Sequence, residues 1–250
     1  MPASARQPPS QPAVPHYARQ AWKQAVSAPR PGGKRLNVAT VVATAIRVAD
    51  EAGLAALSTR HLAQQLSLTP MAVYRHVDSR EELIMLMLDA MLASPPVADH
   101  TPASWPDALT AWGRSLYARY EAHPWALDAP TLGMPSTPNL VRWVDRLLGD
   151  LEPTGLPILE RMNIALLIAG HVRHIATVRL RTHLVDPAES AEALAQWLPR
   201  FVTANAFPFY ARIFDADTPS LTTGPDIEYG LARIVDGVRA RCAASEHPSN

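Results

Sequence analysis

Three times between residues 36 and 73 the same short signal recurs: a leucine, a residue able to cap a helix, and an apolar residue four positions after the cap. The sets are Leu36-Asn37 with Val41, Leu57-Ser58 with Leu62, and Leu68-Thr69 with Val73. An Asn, Ser or Thr oxygen accepts from an amide of the first helical turn that has no partner within the helix. The flanking apolar pair closes over the cap and sets the angle at which the chain enters. Pro70 takes the first helical position after Thr69, where a missing N–H costs nothing. Ser79 and Glu82 have the spacing of a capping box, a fourth start. The spacing predicts helices over 38–52, 59–66, 70–77 and 80–93, the first halted by Gly53.

The second and third of these helices are short, and only Ser67-Leu68 separates them, so they must cross steeply. Ala63 is small enough to permit the approach. Val73 and Val77 turn inward, which leaves Met71, Ala72, Tyr74, Arg75 and His76 facing out. Small apolar, aromatic and cationic groups on one exposed helix suit the edges of a major groove. Charge points the same way. The whole chain has no net charge, yet residues 1–80 carry ten Lys or Arg against Asp50, Glu51 and Asp78. A positive end on a neutral chain favours a polyanionic partner at that end.

The stretch Leu57-Ser58-Thr59-Arg60-His61-Leu62-Ala63-Gln64-Gln65-Leu66, followed by Met71-Ala72-Val73-Tyr74-Arg75-His76-Val77 and Ser79-Arg80-Glu81-Glu82-Leu83, resembles the DNA-binding domain of the tetracycline-repressor (TetR) family. The resemblance implies a helix-turn-helix whose third helix reads the major groove of an operator in double-stranded DNA. Thr59 and Arg60 would meet phosphates or base edges. Pro70, Met71, Ala72 and Arg75 would face bases. Tyr74, His76 and Arg80 would hold phosphates, with Thr69 beside them. The reading face lacks the Asn or Gln that grips adenine, whereas Arg60 and Arg75 suit guanine and Met71 and Ala72 suit thymine methyls.

Residues 1–36 are rich in Pro, Ser and Gln, and are expected to form a flexible basic arm. Its Lys34 and Arg35 lie beside the first helix, where they could enter a minor groove. Tyr17, Ala18, Ala21, Trp22 and Ala25 nevertheless recur at helical spacing, so a short amphipathic turn there could dock.

Residues 37–92 form the expected helix-turn-helix domain, and 93–250 a helical regulatory and dimerisation domain. The fold class is therefore all-α, with helices expected at 105–123, 137–151, 156–184, 187–204 and 225–243. On the last of these Ile227, Leu231, Ile234, Val235 and Val238 make an apolar stripe, with Gly230 and Gly237 permitting close approach. That stripe is core or dimer seam. His123-Pro124-Trp125 and the run from Gly224 to Leu231 resemble the regulatory domain of the same family, in which the long helix and the last helix pair with their symmetry mates. The resemblance makes the stripe a homodimer contact.

The long helix offers two faces. One carries Met162, Leu166, Ala169, Gly170 and Arg173, and the other Ile164, Leu167, His171, His174, Ile175 and Val178. One should line a cavity and the other the seam; periodicity does not say which. Candidate ligand contacts are Met87, Met91, Trp112, Leu116, Met162, Leu166, His171 and Arg173, for a small apolar or aromatic effector.

Other classes of function find little support. No nucleophile motif, phosphate-cradling glycine loop or carboxylate pair suggests an enzyme. His171 and His174 lack further ligands at metal spacing, so no metal or cofactor is expected. A lone cysteine, Cys242, fits a reducing compartment. The apolar run from Ile164 to Gly170 is too short to span a bilayer, so a cytoplasmic, nucleoid-associated protein without membrane partners is expected. The reading that follows is a repressor released from a palindromic operator by a small ligand. The alternative is a DNA-binding dimer without an effector, controlled by abundance or a protein partner.

Overall fold

The structure is a computed structural model, described for residues 15–26, 37–93, 104–130, 136–181, 191–214 and 226–246. Among these residues there is no strand. Ten α-helices occur: α1 (His16–Val26), α2 (Val38–Ala52), α3 (Thr59–Gln65), α4 (Pro70–Tyr74), α5 (Arg80–Met91), α6 (Trp105–Ala122), α7 (Pro138–Asp150), α8 (Ile158–Leu180), α9 (Ala191–Trp197) and α10 (Ile227–Glu246).

The four expected caps form. Asn37, Ser58, Thr69 and Ser79 accept from the amides of Thr40, His61, Ala72 and Glu82, at 2.8, 3.1, 3.3 and 3.0 Å. Glu82 returns the bond by accepting from the Asp78 amide at 2.8 Å. Gly53, at φ 74°, closes α2 by donating to the Ala49 carbonyl. The turn between α3 and α4 is a Schellman closure. The Leu68 amide donates to Ala63 O and the Ser67 amide to Gln64 O, with Ser67 itself at φ 55°. A serine here carries the strain a glycine would avoid. The third helix is shorter than expected, ending at Tyr74, because Arg75 and His76 already belong to the closing turn.

Helices α2, α3 and α4 bury Val41, Ala45, Leu62, Ala63 and Val73 together with Leu83 of α5. Beyond them α5 carries Met87 and Met91 into the same apolar core as α6, α7 and α8. The buried Asp89 carboxylate accepts from the Asn139 amide at 2.8 Å and caps α7 from a different helix. Trp143 donates its indole N–H to Leu92 O, and Trp112 donates to Trp143 O. Thus α5 joins the two regions through both packing and hydrogen bonds.

Residues 16–26 correct the expectation of a flexible arm. They form α1, with Ala18 and Ala21 buried, lying on α5 and α7. The helical spacing of Tyr17, Ala18, Ala21 and Trp22, which points to a turn able to dock, finds its partners there. Lys34 and Arg35 lie outside the described residues.

Candidate nucleic-acid interface and internal cavity

The reading face stands clear of the fold. Met71 is 67% exposed and Tyr74 51%; Arg60, Thr69, Pro70 and Arg75 are also exposed. Ala72 and Thr59 are half-buried. The hydroxyl of Thr69 is occupied as the cap of α4. Thr59, Tyr74 and Arg80 border one surface hollow of about 280 Å³, with Ser58 and Ser79 between them. Arg80 has a structural duty that residue spacing does not reveal: its guanidinium donates to Leu54 O at 2.7 Å and Leu57 O at 3.3 Å. His76 is half-buried, and its carbonyl accepts from the Gln20 side chain at 2.7 Å.

A cavity of about 250 Å³ lies among α5, α6, α7 and α8. Of the expected ligand contacts, Met91, Trp112, Leu116, Leu166 and Arg173 line it. Met87, Met162 and His171 do not. Met87 is fully buried in the core, Met162 packs at its margin, and His171 turns to α10. The face of α8 carrying Leu166, Ala169, Gly170 and Arg173 is therefore the cavity face. Sequence reasoning passed over Met85, Leu88, Leu140, Trp143 and Val144. Leu140, Trp143 and Val144 recur at helical spacing on α7, a stripe indistinguishable from core without the tertiary arrangement.

Arg173 is the cation of the cavity wall. It donates to the carbonyls of Ala126, Leu127 and Ala129 at 3.4, 3.0 and 2.9 Å, and it lies 6.0 Å from the Tyr120 ring. Those carbonyls directly follow Trp125, whose indole N–H donates to Asp50 of α2 at 2.7 Å. His123 meets the same carboxylate oxygen at 2.8 Å. A continuous set of directed contacts thus runs from the cavity wall to the first helix of the DNA-reading unit.

The stripe on α10 packs inward. Leu231 is 0% exposed, and Ile227, Val235 and Val238 are buried while Ile234 is partly so, all against their own protomer. Gly113 of α6 makes room for Leu231: a Cβ there would lie 2.7 Å from its Cδ2. A Cβ on Gly230 would lie 2.0 Å from the His171 ring, whose Nε2 is 3.2 Å from Ile227 O. These residues hold α10 onto α6 and α8 within the protomer. His16, Asp78 and Glu82 bring their nitrogen and carboxylate oxygens within 4.8 Å of one another. The imidazole Nδ1 lies 3.0 Å from Glu82 and 3.2 Å from Asp78, and this contact accounts for the grouping.

An exposed helix set by a tight turn, above a helical unit with an apolar cavity, defines a helix-turn-helix protein. The sequence pattern of the tetracyclin repressor-like C-terminal domain matches residues 98–242. The HTH-type transcriptional repressor DrrR1 of Streptomyces coeruleorubidus is 32% identical over 223 residues, covering 83% of this chain and 79% of that protein. Apo ActR from Streptomyces coelicolor superposes with a TM-score of 0.73 at 26% identity, covering 86% of this chain and 100% of the other. ActR in complex with actinorhodin gives 0.69 at 27% identity, covering 83% and 97%. The chain belongs to the tetracycline-repressor family and is a DNA-binding transcriptional regulator. No helix among the described residues is long and apolar enough to cross a membrane.

Proposed function

We propose that the protein is a dimeric repressor that leaves a palindromic operator when a compact, planar aromatic molecule fills the α5–α8 cavity. The cavity carries the reading. Its walls are Trp112, Trp143 and Tyr120 with methionines and leucines, materials that stack on flat rings and adapt to their outline. Arg173 and Thr137 supply the polar contacts, which favours a ligand bearing a phenolate or carboxylate. Arg173 also holds the 126–129 backbone next to Trp125 and Asp50, so a ligand that draws on the guanidinium bears on α2. ActR, which holds actinorhodin in its complex, lends support through its similar fold.

Dimerisation is assigned to the outward face of α8 instead of the buried α10 stripe. Leu159, Asn163, Leu167 and His174 recur along one exposed side, and Leu159 and Leu167 are 75% and 57% exposed. An apolar stripe of this kind on a long helix is what a partner helix covers. Two copies related by a two-fold axis then meet two equivalent half-sites about one helical turn apart.

Thermal melting with actinorhodin and with simpler hydroxynaphthoquinone acids tests the ligand reading. Ligand at about 100 times its Kd stabilises the folded state by about 2.7 kcal/mol. The same compounds should release the protein from DNA fragments selected by their binding to it. A melting shift that survives Trp112→Ala unchanged places binding elsewhere. DNA binding with no response to any of these compounds favours control by abundance or a protein partner.

A further inference from the structure

Helix α1 precedes the DNA-reading unit, and nothing in the reading of the two sites requires it. At eleven residues it is too short to be stable alone, so its position is set by what it touches. His16 and Gln20, one turn apart, face the segment after the reading helix. His16 pairs with Asp78 and Glu82, and the Gln20 side-chain amide donates to His76 O at 2.7 Å. Tyr17 and Trp22 face the opposite way, to the strand of chain that opens α7. The Trp22 indole donates to Ser136 O at 3.0 Å, and the Tyr17 hydroxyl lies 3.4 Å from the Ser136 hydroxyl. Between these two sets Ala18 and Ala21 are buried, so the helix body lies close against the protein.

The two anchorages are informative. Ser136 is followed by Thr137 and, one turn into α7, by Leu140, and both of these line the cavity. His76 ends the short reading segment, and α4 has only five residues with which to hold its own orientation. We propose that α1 is a rigid strap tying the α7 side of the cavity to the C-terminal end of the reading helix. Displacement of the 136–140 wall is then passed to His76 by α1, in addition to whatever α5, on which α1 also rests, carries between them. This rests on the reading of the cavity as an effector site, and it adds a second route to the one through Arg173 and Asp50. A strap of this kind biases the two sites reciprocally, since coupling between sites acts equally in both directions.

Amide hydrogen exchange in the full-length protein, without any ligand, tests the strap. Trp22→Phe keeps an aromatic ring on α1 and removes the donor to Ser136. Gln20→Leu keeps volume and removes the donor to His76. Loss of one such hydrogen bond corresponds to roughly a fivefold change in a local opening equilibrium. Trp22→Phe is expected to raise exchange about fivefold across 72–78, which Trp22 does not bond, and Gln20→Leu to do so across 139–144. Tyr17→Phe, a milder change at the same end, should act in the same direction as Trp22→Phe and guards against general unfolding. Changes confined to the element that each altered side chain bonds would overturn the strap. That outcome leaves the effector reading intact, because a ligand-induced melting shift is decided without α1.

Discussion

Trp125 and Asp50, seventy-five residues apart, share a 2.7 Å hydrogen bond that joins the turn after α6 to the end of α2. The Trp125 side chain belongs to a residue only 2% exposed, so its N–H has few alternatives. Asp50→Ala strands that donor and breaks the His123 contact as well. A loss of about 1–3 kcal/mol in urea-unfolding stability is expected. If the contact also transmits ligand occupancy, the ratio of operator affinities with and without ligand should shrink in the same variant. Gel-shift titrations measure this.

Arg75→Ala is expected to weaken specific DNA binding by about 1–3 kcal/mol, since its side chain stands exposed at the end of the reading helix. Tyr74→Phe, which removes only a hydroxyl, should have a smaller effect in the same direction. Neither side chain is in the core, so thermal stability should change little. Wild-type affinity in both would remove this face from the groove.

Gly230→Ala places a methyl against His171, and the ring has Ile227 O as its hydrogen-bond partner. Overpacking of this kind costs about 1–3 kcal/mol. Because a single contact is responsible, the double variant with His171→Ala should recover part of that loss. A double-mutant cycle that is strictly additive would mean the close approach is not what holds α10.

Leu167→Glu and Leu231→Glu should behave differently. Leu167 is exposed on α8, so a charge there should dissociate the dimer while the monomer still melts cooperatively. Leu231 is fully buried on Gly113, so a charge there should unfold the protomer, a core effect of several kcal/mol. Sedimentation combined with calorimetry separates the two. Dissociation by the Leu231 variant with a normal melt would restore the α10 stripe to the seam.

Acid should loosen α10 from α6 by a small amount. Glu228 and Arg114 form a two-pronged pair at 2.7 Å, and the hydrogen bonds from Arg114 hold the Glu228 carboxyl below its usual range. A carboxyl depressed by folding contributes stability above its unfolded pKa, about 4.3. That contribution is lost as pH falls through the lower folded value. Both side chains are well exposed, so the pair should be worth under about 1 kcal/mol. Glu228→Gln should lower the melting temperature slightly at pH 7 and show no difference from wild type at pH 2.

The helix starts were readable residue by residue because a cap is a local event. Asn37, Ser58, Thr69 and Ser79 each bond an amide three positions away, and no distant residue has to cooperate. The outward set Met71, Tyr74 and Arg75 followed from the same short-range geometry, once Val73 was turned inward. Apolar periodicity on longer helices carries less. It states that a face is covered and is silent on what covers it, so Leu231 in its own core and Leu231 in a seam would be written alike. Only the packed structure put Leu231 against Gly113, gave the Arg173 side of α8 to the cavity, and turned His171 to Gly230. It also placed α1, since a short helix among prolines is held by Glu82, His76 and Ser136, residues between 56 and 114 positions from their partners. Burial is settled by which surfaces meet in three dimensions, and those meetings leave no mark at the spacing of one helix.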